Sequence, residues 1–126
     1  MDIQLASHLY HQLFRIRKVE QEIARVYPSD VIKSPVHLSI GQEAISVGVC
    51  DVLRQEDIVF GTYRGHALYI AKGGNLNAMM AELYGKVDGC CRGKGGSMHL
   101  VDSSVNMMVT SAIVATSIPQ AVGYAM

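Results

Sequence analysis

Ile58-Val59-Phe60-Gly61-Thr62-Tyr63-Arg64-Gly65-His66 decides how the chain is read. Three apolar residues between the polar turn Gln55-Glu56-Asp57 and a glycine make a short buried strand. Polar side chains follow at once, at the strand's end, and in open α/β sheets ligands bind there. Arg64 offers a planar fork suited to phosphate or carboxylate, and Tyr63 can add a hydroxyl hydrogen bond. Taken alone, an arginine in this place is more often a surface ion-pair partner.

Helical patterns flank this stretch. Upstream, Leu5, Leu9, Leu13, Ile16, Val19, Ile23 and Val26 recur at three- and four-residue steps, which predicts one helix over 3–27 stopped by Pro28. Arg15, Arg17, Lys18, Glu20, Glu22 and Arg25 mostly take the remaining surface. Ser39 and Gln42 form the pattern of a capping box for a second helix that buries Ala44, Ile45, Val49, Val52 and Leu53. Downstream, His66–Lys72 reads as a short helix ended by Gly73-Gly74. Asn75 then caps a helix whose Leu76, Met79, Met80 and Leu83 share a face, and Gly85 ends it. Five glycines between Gly85 and Gly96 mark a loop. Ser117 and Gln120 repeat the capping-box pattern, with Pro119 in the first turn.

Composition narrows the function. Eleven basic and eleven acidic residues cancel in the 126-residue chain, which removes the electrostatic case for nucleic acid or an anionic membrane as main partner. Hydrophobic residues make up 49% and the mean hydropathy is +0.19, which excludes disorder. Ser103–Met126 carries no charge at all, yet holds too many polar groups for a membrane span. It reads as a core or interface segment. Cys50, Cys90 and Cys91 are odd in number without a paired spacing, so the expectation is a reduced, cytoplasmic protein without secretory signal or disulfides. Val122–Met126 gives a helix without an end, which suggests part of something longer.

Three further features could carry chemistry. Gly93-Lys94-Gly95-Gly96-Ser97-Met98-His99 is a glycine-rich segment with a lysine that could cradle phosphate, but it lacks P-loop spacing, and a tight packing turn explains it as well. His37, set between Val36 and Leu38, is an acid–base candidate or a hydrogen-bonded structural residue. Cys90, Cys91 and His99 match no zinc pattern, because adjacent cysteines diverge in direction.

In series, Pro35-Val36-His37-Leu38-Ser39-Ile40-Gly41-Gln42-Glu43-Ala44, Gly61-Thr62-Tyr63-Arg64-Gly65-His66, Met80-Ala81-Glu82-Leu83-Tyr84-Gly85-Lys86 and Gly93–His99 run in one order at close spacing. The series resembles the alpha subunit of thiamine-diphosphate-dependent 2-oxo acid dehydrogenases of the pyruvate and acetoin type, over essentially the whole chain. That resemblance implies an α/β architecture: residues 1–126 as the helix-rich N-terminal portion of a single doubly wound, thiamine-diphosphate-binding domain. It implies oxidative decarboxylation with acyl transfer to a lipoyl-bearing acyltransferase component, in a heterotetramer with a beta subunit.

By position, Tyr63 and Arg64 match the pair that binds the diphosphate. His37 matches a histidine lining the active site, and Ala112 and Val114 match residues whose backbone meets the aminopyrimidine. The family's Mg2+ ligands, a Gly-Asp-Gly motif with a downstream asparagine, are expected beyond Met126, so none of the present residues is a metal ligand. Relatives usually carry glycines where this chain has Ser111-Ala112 and Ala115-Thr116-Ser117, and the extra β-carbons threaten the pocket or a positive φ. A non-catalytic remnant that binds only a beta subunit or a phosphate stays open as the alternative.

Overall fold

The computed structural model describes residues 2–126. Helix α1 (Ile3–Val26) opens the chain, with the Asp2 carboxylate accepting the Gln4 amide at its N-terminus. A 3-10 turn over Tyr27–Ser29 takes up Pro28. Then follow α2 (Glu43–Val52), β1 (Val59–Phe60), α3 (His66–Ala71), α4 (Leu76–Leu83), a 3-10 turn over Ser103–Val105, β2 (Met107–Val109) and α5 (Ser117–Ala125). The result is an α/β fold rich in helix. β1 and β2 pair in parallel, Val59 opposite Met107 and Phe60 opposite Val109, with an irregularity between the two pairs. Among the described residues no helix is long and apolar enough to cross a membrane.

The core joins Ile16 and Ile23 of α1, Val47 of α2, Tyr69 and Ile70 of α3, Met79 and Leu83 of α4, and Leu100 and Met107. α1, α2 and α3 pack on one another. Three expectations hold in detail. Asn75 Oδ1 accepts the Ala78 amide at the start of α4, Gly85 follows its end at φ +66°, and Gly73 follows α3 at φ +94°.

Other expectations are corrected. Ser39 and Gln42 form no capping box. The Gln42 amide donates to the Ser39 carbonyl, closing a turn over Gly41 at φ +88°, and the helix begins only at Glu43. Its buried residues are Glu43 and Val47; of the five apolar residues named from the pattern only Leu53, half-buried just past the helix, packs against the core. Ala44, Ile45, Val49 and Val52 face outward, with Val52 80% exposed. Glu43 turns inward because Arg17 of α1 reaches it through both guanidinium and carboxylate forks. At the other end, Ser117 lies inside α5, after an N-terminal Thr116 whose hydroxyl bonds back to Ser111 and Ile113. Of the two readings of the charge-free segment, core fails beyond Thr110: no residue of α5 is buried, and Ile113, Val114, Ile118, Val122 and Tyr124 stand largely exposed.

Candidate functional site

Parallel pairing puts the carboxyl ends of β1 and β2 at one edge, so the two loops leaving them lie side by side. The Gly61 amide donates to the Val109 carbonyl at 2.8 Å. The contact is tight enough to need small residues: a Cβ on Gly65 would come within 2.9 Å of Thr110 Cγ2. Tyr63 and Arg64 stand on the first loop, Ala112 and Val114 on the second.

His37 joins them from the segment before α2. Its ring meets that of Tyr63 edge-on, centroids 4.7 Å apart at 62°. His37 Nδ1 is the one buried side-chain nitrogen or oxygen left without a hydrogen-bond partner among the described residues. A buried polar atom without a partner is costly, so it marks a place where a ligand would supply one. Arg64 is exposed and its guanidinium carbon lies 5.8 Å from the Tyr63 ring centroid. Nη1 donates to the Leu38 carbonyl at 2.5 Å. No carboxylate pairs with Arg64 among the described residues. An open groove of about 360 Å³ beside it runs past Ser39, Ser46, Phe60 and Thr62.

Beneath these side chains lies a buried polar network that the pattern reading placed wrongly. Glu20 is fully buried although it was assigned to the outer surface of α1. One carboxylate oxygen accepts the Ser39 amide at 3.1 Å; the other meets His66 Nδ1 at 3.2 Å. His66 Nε2 in turn meets Ser97 Oγ at 2.8 Å, and both residues are fully buried. Ser39 Oγ donates to the Arg64 carbonyl at 3.2 Å. The network therefore ties α1, the His37 segment, the Arg64 loop and the glycine loop together. Its signal was in the sequence: Glu20 sits between Ile16 and Ile23 at helical spacing, a charge on the buried stripe.

The second loop is held by hydroxyls. Ser111 Oγ accepts the Ile113 amide at 3.2 Å and the Thr116 hydroxyl at 3.0 Å. Ala112 is half-buried and Val114 is exposed, and among the described residues neither one's backbone amide or carbonyl finds a hydrogen-bond partner. Ala115 takes φ +68°, so the β-carbon does not forbid the left-handed conformation but strains it, by about 1 kcal/mol.

The glycine-rich segment 93–99 is no phosphate cradle. Its amides are already taken by Glu82 of α4. Oε2 accepts from Cys91 and Gly93 at 2.8 Å each, and Oε1 from Gly95 at 2.7 Å and Gly96 at 3.1 Å. Burial works to raise this carboxyl, but the four amides outweigh it and hold it below the ordinary carboxylate value. The glycines are what let the loop close: a Cβ on Gly89 would strike Glu82, and at Gly93, held at φ +74°, a Cβ would come within 2.7 Å of the Gly85 backbone.

Residues 11–126 match the family model described as dehydrogenase E1 component. The chain belongs to that family. It is 41% identical to the alpha subunit of acetoin:2,6-dichlorophenolindophenol oxidoreductase from Bacillus subtilis, over 96% of this chain and 36% of the relative. Against the chloroplastic pyruvate dehydrogenase E1 component subunit alpha-3 of Arabidopsis thaliana the identity is 42%, over 93% of this chain and 27% of the relative. The Cupriavidus necator acetoin oxidoreductase alpha subunit aligns with the whole chain at 38% identity, covering 38% of its own length. The chain thus spans about a third of the length of these curated E1 relatives.

Proposed function

We propose that these residues form one wall of a thiamine-diphosphate site in the alpha subunit of a pyruvate- or acetoin-type 2-oxo acid dehydrogenase. The observation that carries the reading is the convergence of His37, Tyr63 and Arg64 at the carboxyl edge of the parallel pair, with His37 Nδ1 unpartnered. These residues suit the cofactor. Arg64, permanently charged and free of carboxylates, and the Tyr63 hydroxyl hold the diphosphate. The unengaged backbone at Ala112 and Val114 meets the aminopyrimidine, where side-chain change is tolerated. His37 holds or passes a proton at Nδ1 on the reacting side. When bound, the cofactor supplies the nucleophilic carbon that attacks the 2-oxo group and accepts the electrons left as carbon dioxide departs.

The magnesium ligands belong to residues outside this set; no carboxylate follows Asp102, and magnesium takes one or two carboxylates with phosphate oxygens. The relatives are named as alpha subunits, which supports a beta subunit as partner; a lipoyl-bearing acyltransferase component completes the proposal as acceptor of the acyl group. A reducing, cytoplasmic setting suits three free cysteines. The strained Ala115 favours a second reading, a non-catalytic product that binds a beta subunit or a phosphate.

The test is calorimetric titration of thiamine diphosphate with magnesium into a full-length alpha subunit that contains these residues, assembled with its beta subunit, alongside turnover. Arg64→Ala is expected to weaken cofactor binding by about 10- to 150-fold, from loss of about 1.5–3 kcal/mol of charge-assisted hydrogen bonding. Turnover at saturating cofactor is expected to change little, because the diphosphate contact is the same in ground and transition states. Arg64→Lys recovers part of the loss. Unchanged affinity in the alanine variant overturns the reading.

A further inference from the structure

Cys90 and Cys91 take no part in the proposed cofactor site. They open the glycine loop and both are partly accessible. Adjacent side chains diverge along an extended strand, but here the backbone turns, reaching φ +57° at Arg92, and the two sulfur atoms stand 4.0 Å apart. Cys91 Sγ is anchored across the loop: it accepts the Val101 amide at 3.2 Å and faces the His99 carbonyl at 3.2 Å. Cys90 lines an open groove of about 490 Å³ with Ala78, Ala81, Asp88 and Asp102.

A third donor is close. One oxygen of Glu82 and both sulfurs lie within 4.8 Å of one another. However, the four amide hydrogen bonds already described fill the lone-pair positions of that carboxylate. A hard, oxygen-seeking cation finds too few free ligands here. Two sulfurs remain, and they select a soft ion.

Their spacing refines the choice. A disulfide needs sulfurs about 2.05 Å apart and Cα atoms usually at least about 4.4 Å apart. Adjacent Cα atoms across a trans peptide are only about 3.8 Å apart. An ion about 2.3 Å from each sulfur, by contrast, fits the observed separation with an S–M–S angle of about 120°. That is the trigonal angle, about 10° wider than the tetrahedral one, whereas a linear two-coordinate ion would need sulfurs about 4.6 Å apart.

We propose that Cys90 and Cys91 form a bidentate dithiolate site for a soft divalent cation of the zinc and cadmium class, completed by solvent. On binding, two S–H bonds break, two S–M bonds form, and two protons pass to solvent while bound water leaves the ion; nothing is oxidised or reduced. Cys91 is the readier ligand. Its contact with Cys90 and, against burial, the Val101 amide hold its thiol below the ordinary value, while the same contact raises Cys90.

Cadmium alone is the probe, added to the reduced 126-residue chain after the reductant is removed. Expected are one cadmium per chain, an ultraviolet sulfur-to-cadmium band, and release of two protons. Cys90→Ser and Cys91→Ser each weaken binding at least tenfold, and Cys50→Ser leaves it unchanged. Alkylation mapped by peptide mass needs no variant: equimolar cadmium is expected to protect Cys90 and Cys91 while Cys50 still reacts. Protection of Cys50 instead, no protection of the pair, or full affinity in either serine variant overturns the site.

Discussion

The loop after α4 and the segment after β2 are both rich in small residues, and they treat their backbone in opposite ways. Around Glu82 the chain brings its own anion to four amides, which are thereby closed to an outside phosphate. Between Ser111 and Thr116 two hydroxyls and a single backbone bond, from the Thr116 amide to the Ile113 carbonyl, tie the turn, Ala112 and Val114 keep their backbone groups open among the described residues, and no residue of α5 is buried. A glycine-rich sequence is therefore a weak guide to anion binding. What matters is whether an internal carboxylate has arrived first.

The largest expected effect tests the closed region. Glu82→Ala strands four amide donors on half-buried residues, each costing about 1 kcal/mol or more. We expect a loss of more than about 4 kcal/mol, a large part of the stability of a typical domain, seen as early urea unfolding and rapid proteolysis at 89–96. A midpoint near the parent's would mean that water replaces the carboxylate and that the loop is as open as the one after β2.

The next effect sharpens the contrast with a half-closed case. Glu43 has one amide, that of Gly41 at 3.0 Å, and the Arg17 guanidinium, which draws its pKa down from 4.5 to about 2. A carboxyl lowered on folding gives stability that is present above its unfolded value and lost as pH falls through the folded one. Because Arg17 is partly exposed, the amount is on the order of 1–2 kcal/mol. Acid melts of the parent and Glu43→Gln are thus expected to differ at neutral pH and to converge from about pH 4.5 down to about 2. A constant gap at every pH would remove the ion pair from the account.

The smallest effect belongs to the open region. Ala115→Gly relieves the left-handed strain at φ +68° at the cost of backbone entropy. A net gain of up to about 1 kcal/mol is expected in thermal melts. Destabilisation instead would show that the turn is not strained and that the β-carbon packs usefully.

Local signals carried much of the fold. The period of α1, the Asn75 cap, Gly85 after α4 and the apolar run at β1 could all be read, because each depends on neighbours within a turn. The two capping boxes failed for tertiary reasons: Glu20 takes the Ser39 amide, and Thr116 begins α5. β2 passed unnoticed since Met107-Met108-Val109 is short and carries no alternation, and its strand character comes from pairing with β1. At the candidate site, Tyr63 and Arg64 were legible from the end of β1. Of the Glu20–His66–Ser97 network only Glu20, a charge on the buried stripe of α1, left a local signal; its partners did not, since the members are 46 and 31 residues apart and only folding joins them.

The β1–β2 register has a further consequence, in time rather than in space. Val59 and Met107 are roughly fifty positions apart, whereas Glu82 closes its loop across at most 14. Short closures cost less chain entropy and form sooner than distant strand pairings. Refolding should therefore assemble the glycine loop before the edge that holds Tyr63 and Arg64. Pulse-labelled hydrogen exchange would then find the amides of Cys91, Gly93, Gly95 and Gly96 protected while that of Gly61 still exchanges, so the candidate site is the last part of the molecule to acquire its shape.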